Sequence, residues 1–176
     1  KDRATPCRTG IDMSQVIKTN AADVRFEGVS KIYGKDAVAV GDIDLTVEAG
    51  TLVTLLGPSG CGKTTTLRMI AGLELPTAGK IFVGGEDVTD LPATQRDIAM
   101  VFQSYALFPH MSVQENIAYG LVNSGMGRDE IAERTSSGMD LVGLKGFEKR
   151  LPSELSGGQQ QRVAVARSLM NNPSVV

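Results

Sequence analysis

Gly57-Pro58-Ser59-Gly60-Cys61-Gly62-Lys63-Thr64 is the stretch that decides how this chain is read. It fits G-x-x-x-x-G-K-[ST] with no gap or substitution, the pattern of a phosphate-cradling P-loop. The chemistry asks for each residue type. A polyphosphate carries several negative charges and has to be wrapped closely by backbone N–H groups. Gly57, Gly60 and Gly62 let those groups point inward without Cβ clashes. Lys63 supplies a compact positive charge for the β- and γ-phosphates. The Thr64 hydroxyl suits Mg2+, a hard cation that prefers oxygen. Pro58, Ser59 and Thr65 belong to the same nucleotide-binding stretch. Cys61 contributes its backbone N–H to it rather than thiol chemistry.

The flanks agree with the motif. Thr51-Leu52-Val53-Thr54-Leu55-Leu56 is short, apolar and partly β-branched, which predicts a buried strand. In Lys63 to Gly72, Leu67, Ile70 and Ala71 share one face at helical spacing, and Gly72 is a stop signal. Strand, glycine loop and helix put a phosphate at a helix N-terminus.

A second motif is Leu155-Ser156-Gly157-Gly158-Gln159, followed by Gln160-Gln161-Arg162-Val163-Ala164-Val165-Ala166-Arg167. Ser156 reads as an N-cap, and the apolar positions after it recur as on a buried helix. Ser-Gly-Gly at a helix start offers a hydroxyl, free N–H groups and the positive end of the dipole. An ordinary capped helix has the same local pattern. Beside the P-loop, a second anion site is the better reading.

Together these stretches resemble the ATP-binding subunits of ABC (ATP-binding cassette) transporters, over about Val24 to Val176. P-loops occur in many NTPases, whereas LSGGQ followed by a Gln-Gln-Arg helix is close to diagnostic of the ABC class. The resemblance implies an α/β fold: a P-loop NTPase core with an antiparallel β flank and a helical insertion. It implies ATP and Mg2+ as ligands. It places Tyr33 where the family has an aromatic that stacks on adenine, and Gln103 where it has a glutamine that contacts Mg2+ or water. It assigns Lys63, Gln103, Ser156 and Gly158 to catalysis, and Thr64 and Gln103 to the metal. Gly157 and Gln159 join Ser156 and Gly158 in contacting nucleotide. From the residues alone, Tyr33 reads equally as a half-buried strand residue, and Gln103 as a polar loop residue after the apolar stretch Ile98 to Phe102.

In the resembled family a strand like the one beginning at Ser174-Val175-Val176 runs on into an Asp-Glu pair. That pair helps hold Mg2+ and polarises the attacking water, and a later histidine senses the γ-phosphate. None of these follows here, so the expectation is a fragment that lacks the catalytic Glu and is inactive alone as an ATPase. The ABC domain is expected to be incomplete, spanning residues 23–176 with a helical subdomain at about 104–155. Residues 1–22 are expected to be a disordered or accessory extension, with Met13 a possible natural start.

Composition sets bounds. The chain has 176 residues, enough for one domain with a real core. Its 41% hydrophobic and 22% charged content is that of an ordinary globular protein. A net charge of −2 argues against broad nucleic-acid binding. No apolar run approaches the roughly 20 residues needed to span a bilayer, so any membrane path belongs to a partner. Two distant cysteines, Cys7 and Cys61, do not make a disulfide framework, which fits a reducing cytosol.

Outside the motifs, Val24 and Phe26, then Ile43, Leu45 and Val47, alternate at period two, with turns at Gly34-Lys35 and Ala49-Gly50. This predicts an antiparallel β portion. Pro76 to Gly79 and Gly84-Gly85 predict turns around a strand Lys80 to Val83, and Ile98 to Phe102 predicts another strand. Ser112-Val113-Gln114-Glu115 is a capping box for a helix running to near Leu121. Arg128 to Val142 reads as a second helix, with Ile131, Ala132, Met139 and Val142 as its apolar side and Ser136-Ser137-Gly138 weakening it. His110 is the single histidine. With no visible partners it reads as a loop or contact residue rather than a base, and exposed Phe108 and Met111 beside it suit a contact with membrane subunits.

By resemblance the leading expectation is the nucleotide-binding subunit of an importer. It would act as a homodimer or paired cassette, with integral membrane permease subunits and a solute-binding protein, at the cytoplasmic face of the inner or plasma membrane. In the family the Ser156-Gly157-Gly158 end of one chain closes on the γ-phosphate held by the other. Gln103 to Leu121 most resembles importers of ferric iron, polyamines, phosphonates and sugars, with a lean to ferric iron or phosphonate. The alternative is an ABC-type ATPase acting on DNA or ribosomes. Against it, fewer than a hundred residues separate Thr64 from Leu155, with no sustained heptads for a long coiled coil. A P-loop kinase or GTPase is the third reading, and LSGGQ has no role there.

Overall fold

The computed structural model describes residues 20–176. Most of the expected extension, with Cys7 and Met13, lies outside the described residues. Of its last three residues, Ala22 donates its N–H to the Ser174 carbonyl (3.0 Å).

The period-two stretch folds as expected. β1 (Val24–Tyr33) and β2 (Ala37–Val47) form a hairpin, β3 (Ala78–Val83) pairs on the other edge of β1, and β4 (Glu86–Asp87) lies outside it. The sheet order is β2-β1-β3-β4, antiparallel throughout. Val24 lies opposite Val47 and Val83, and Phe26 opposite Leu45 and Ile81. The register then slips between Phe26 and Val29, with Gly28 at φ 57. That bulge moves Val29, rather than Gly28, into the core. The buried face packs on Met69 of α1 (Lys63–Ile70). β3 takes in Ala78 and Gly79, which the sequence reading gave to a turn.

Two expected strands do not form ladders. Thr51–Leu56 takes no regular secondary structure, and among the described residues its only backbone–backbone bond runs from Thr51 to the Glu48 carbonyl. Leu52 and Leu56 are exposed at 96% and 88%. Ile98–Phe102 makes a single parallel bridge, Ile98 to Val175, supported by Ala99 N–H to the Val175 carbonyl (2.9 Å). The physical reason is that β propensity measures fit to a pleated, partnered surface and not backbone shape alone. Between these segments lies an apolar cavity of about 560 Å³. Leu67, Ile70 and Ala71 share one face, as expected, and that face lines this cavity. The side of α1 packed into the sheet core carries Thr66 and Met69 instead.

The remaining helices make a bundle: α2 (Val113–Asn123), α3 (Arg128–Leu141) and α4 (Gly157–Leu169). Its core holds Ile117, Leu121, Met139, Leu144, Val163 and Ala166. The capping box at α2 is formed: Ser112 N–H donates to Glu115 Oε2 (2.7 Å), and Glu115 N–H donates to Ser112 Oγ (3.3 Å). α3 runs unbroken through Ser136-Ser137-Gly138. Gly138 is buried against α4's end, where an added Cβ would stand 2.5 Å from Met170 Sδ. A close helix approach thus overrides the weak propensity there. The inward stripe is Thr135, Gly138 and Met139, and Ala132, expected inside, is exposed.

Candidate nucleotide site

The glycine loop enters α1 through Gly62, the N-cap residue, at φ 89 and ψ −3. This left-handed corner is where glycine is needed. An added Cβ would also fall on the Ala39 carbonyl oxygen of β2, so the loop is seated against the sheet by a backbone-to-backbone approach. No side chain caps α1, and its first turn carries no acid. The leading N–H groups and the positive dipole end are therefore left for an outside anion. Gly57 sits over Cys61, whose Sγ would be 2.5 Å from a Cβ placed there.

Lys63 folds back into the loop. Its ammonium donates to the carbonyls of Gly57 and Pro58, both at 2.7 Å, and lies 3.4 Å from Cys61 Sγ. The cation stands at the centre of the cradle, ahead of the free N–H groups. Thr64 is exposed at the mouth and Thr65 half-buried behind it, while Thr66 Oγ1 donates to the Gly62 carbonyl (3.0 Å). Lys63, Thr66, Ala39, Val40 and Leu56 line a second cavity of about 340 Å³. Glycine corner, free N–H groups and central ammonium fit a nucleotide polyphosphate. Thr64, exposed at the start of α1, carries a hydroxyl of the kind that suits Mg2+.

The far end of α1 is held by a residue that the sequence reading missed. Arg96 is buried and donates to four carbonyls: Met69 (2.6 Å), Ile70 (2.8 Å), Leu91 (2.9 Å) and Thr89 (3.2 Å). Burial lowers its pKa. It satisfies last-turn carbonyls of α1 and opposes the negative dipole end. A lone arginine just before the apolar run Ile98–Phe102 was its only signal in sequence.

Tyr33 ends β1, opposite Ala37 and half-exposed at 40%. The Lys31 ammonium sits 4.9 Å from its ring centroid and pairs with Glu74 at 2.6 Å. Hydrogen bonding to Lys31 lowers the Glu74 pKa, and Tyr33 adds to that shift. Gln103 is exposed in a turn closed by Tyr105 N–H to the Phe102 carbonyl (2.8 Å). No hydrogen bond joins it to the glycine loop among the described residues.

The second motif caps α4 as expected. Ser156 N–H donates to Gln159 Oε1 (2.8 Å), and Gln159 N–H donates to Ser156 Oγ (3.3 Å). Gln159 is thus engaged in the cap. An added Cβ on Gly157 or Gly158 would meet nothing within 4 Å, so that end is open. α4 packs on α2 and α3, whereas α1 packs under the sheet. The two anion-facing helix ends therefore belong to elements packed in different hydrophobic clusters, α4 in the helical one and α1 in the sheet one. His110 stands beside Phe108, at 6.3 Å between ring centroids, and Phe108 stacks obliquely on Tyr119 at 4.5 Å.

A glycine loop seated against β2, an uncapped helix and a lysine folded into the loop define a P-loop nucleotide-binding domain. Residues 40–176 match the family model described as ABC transporter, and the chain belongs to that family. It is 64% identical over 153 residues to the "Fe(3+) ions import ATP-binding protein FbpC" of Brucella suis biovar 1, covering 87% of this chain and 43% of that protein. The protein of the same name from Agrobacterium fabrum is 60% identical over 161 residues, covering 92% and 45%. The chain thus spans less than half the length of these curated relatives. Among solved structures, a "dimeric structure of a post-hydrolysis state of the ATP-binding cassette MJ0796 bound to ADP and Pi" matches with a TM-score of 0.77 and 34% identity, covering 85% of this chain and 70% of that one. This match bears out the P-loop NTPase fold with its antiparallel β portion and helices.

Proposed function

We propose that this chain binds ATP with Mg2+ as the nucleotide-binding part of a ferric iron importer. The observation that carries the binding is the Gly62 corner, with the Lys63 ammonium held at the centre of the loop at 2.7 Å from two carbonyls. On binding, the ammonium turns from those carbonyls to the phosphate oxygens, and the first-turn N–H groups of α1 take up the remaining charge. When bound, Mg2+ would supply charge neutralisation at the phosphates; the Thr64 hydroxyl and the Gln103 side chain are the groups that would hold it. Tyr33 offers its free ring face to adenine.

Closure needs a partner. The open Ser156-Gly157-Gly158 end belongs to the helical cluster and Lys63 to the helix packed on the sheet; we assign that end to the phosphate of a second chain, and the dimeric state of the matched structure supports this. Membrane subunits and a solute-binding protein complete the assembly, with this subunit on the cytoplasmic face. Among the described residues no helix is long and apolar enough to cross a membrane. Ferric iron as cargo rests on the names of the relatives.

The test of binding is calorimetry on the full-length gene product. Lys63→Ala should weaken ATP by more than about tenfold, roughly 1.4 kcal/mol. Equal affinities in the two proteins would sink the reading. The cargo is tested by ferric iron uptake in cells with and without the gene; undiminished uptake without it rejects iron.

A further inference from the structure

Gln103 opens a turn with an unusual backbone. Tyr105 and Ala106, consecutive and neither of them glycine, stand at φ 61 and φ 46. Left-handed residues of this kind persist only where the surroundings hold them. Asn116 fixes the next residues by exchanging bonds with Phe108 N–H (2.9 Å) and its carbonyl (3.1 Å), and the carbonyls of the two left-handed residues are held by one other side chain. Arg167 Nη1 donates to the Ala106 carbonyl (2.9 Å) and Nη2 to the Tyr105 carbonyl (3.1 Å). Its guanidinium carbon lies 5.3 Å from the Phe108 ring centroid. None of the ion pairs among the described residues involves Arg167. Its charge is spent on these two carbonyls and one ring.

Arg167 belongs to the last turn of α4, the helix that Ser156 caps. From Ser156 to Arg167 the helix is a rigid rod roughly 16 Å long, at 1.5 Å per residue. A planar fork fits two successive carbonyls, whereas an ammonium is a single point charge. We propose that Arg167 is a positioning residue. It clamps the turn that carries Gln103 to the C-terminal end of α4, so that Gln103 and the Ser156 face move as one body. This rests on the roles given above to Gln103 and Ser156. A shift of about 1 Å in a group that orients reactants costs up to about a hundredfold in rate. The clamp should therefore act on turnover and not on nucleotide affinity.

The experiment uses the full-length gene product with Arg167→Met, which keeps the stem against Phe108, and Arg167→Lys, which keeps the charge. Amide exchange over Ser104–Phe108 should rise more than about tenfold in Arg167→Met and less in Arg167→Lys. For ATP hydrolysis, kcat should fall at least about tenfold with KM within about twofold, and Arg167→Lys should recover part of it. In a Gln103→Ala background, Arg167→Met should cost nothing further. Unchanged exchange in Arg167→Met overturns the clamp. A raised KM with unchanged kcat, or losses that multiply with Gln103→Ala, overturns the positioning role. If Gln103→Ala alone leaves kcat intact, the reading of Gln103 has failed, and the exchange measurement still decides the clamp by itself.

Discussion

Gly62 and Gly60 share a left-handed backbone and differ in their surroundings, which makes them a matched pair for alanine substitution. Gly60 stands at φ 83 with nothing within 4 Å of an added Cβ. Gly62 stands at φ 89, and its Cβ would land on the Ala39 carbonyl oxygen, a backbone atom that cannot swing aside. Gly60→Ala should cost only the left-handed strain, about 1–2 kcal/mol. Gly62→Ala should add the displacement of β2 or of the loop, about 1–3 kcal/mol more by the usual cost of overpacking. Both variants lose the same unfolded-state freedom, so that contribution cancels in the comparison. Thermal unfolding of the two variants of the full-length product should separate them, with the lower Tm in Gly62→Ala. Nucleotide affinity should fall further in Gly62→Ala, because the first N–H groups of α1 leave register. Equal Tm values would show that the Gly62–Ala39 approach does not hold the loop, and the reasoning about its seating would fail.

Arg96→Met should destabilise by about 3–5 kcal/mol, since four carbonyls lose a charged donor in a buried site; urea unfolding checks it, and a loss under about 1 kcal/mol would contradict the α1 cap. Thr135 carries a buried hydroxyl without a hydrogen-bond partner among the described residues. Thr135→Val, equal in helix propensity, should therefore raise stability by about 1 kcal/mol, and a lowered Tm would argue against this. Hydrogen bonds from Thr89 and Lys80 lower the Asp87 pKa from 3.8 to about 2. A depressed carboxylate contributes stability above its unfolded pKa and loses it as pH falls through the folded one. The β3–β4 hairpin should thus loosen from about pH 4 down to about pH 2, with a carboxyl NMR titration as the check; a midpoint near 4 rejects the bonding.

What was legible in sequence were features carried by neighbours in the chain. Ser112 with Glu115, Ser156 with Gln159, and the alternation of Val24 and Phe26 each specify their own local geometry, and each is observed. What was not legible depends on residues far apart. Thr51–Leu56 has strand composition, yet a strand is a pairing, and the run shows no sign of its partner. The α3 stripe went astray at Ala132 because Thr135 and Gly138 look like helix weakeners. The place of Gly138 is set by Met170, some thirty residues on. Arg96 and Arg167 look like surface charges in sequence. Only the fold shows that both are spent on carbonyls, at Met69 and Ile70 in one case and at Tyr105 and Ala106 in the other. Motif therefore proposes candidate site residues, whereas Arg96 and Arg167 carry no motif at all.

The two bonds of Lys63 change what its substitution measures. The ammonium is bound to the Gly57 and Pro58 carbonyls before any phosphate competes for it. Nucleotide affinity is therefore the difference between ammonium bonds to anionic phosphate and ammonium bonds to two neutral carbonyls, and the added ion–ion attraction favours the phosphate. Lys63→Ala removes both sides of that difference. It also leaves the Gly57 and Pro58 carbonyls pointing into the cradle without a cation, where they repel an anion. The loss of ATP affinity should then exceed the loss of protein stability. The neutral backbone bonds given up are exposed and easily replaced by water, while nothing else in the loop carries a positive charge. A variant that lost stability and kept affinity would show that the lysine braces the loop, with the N–H groups of α1 alone holding the phosphates.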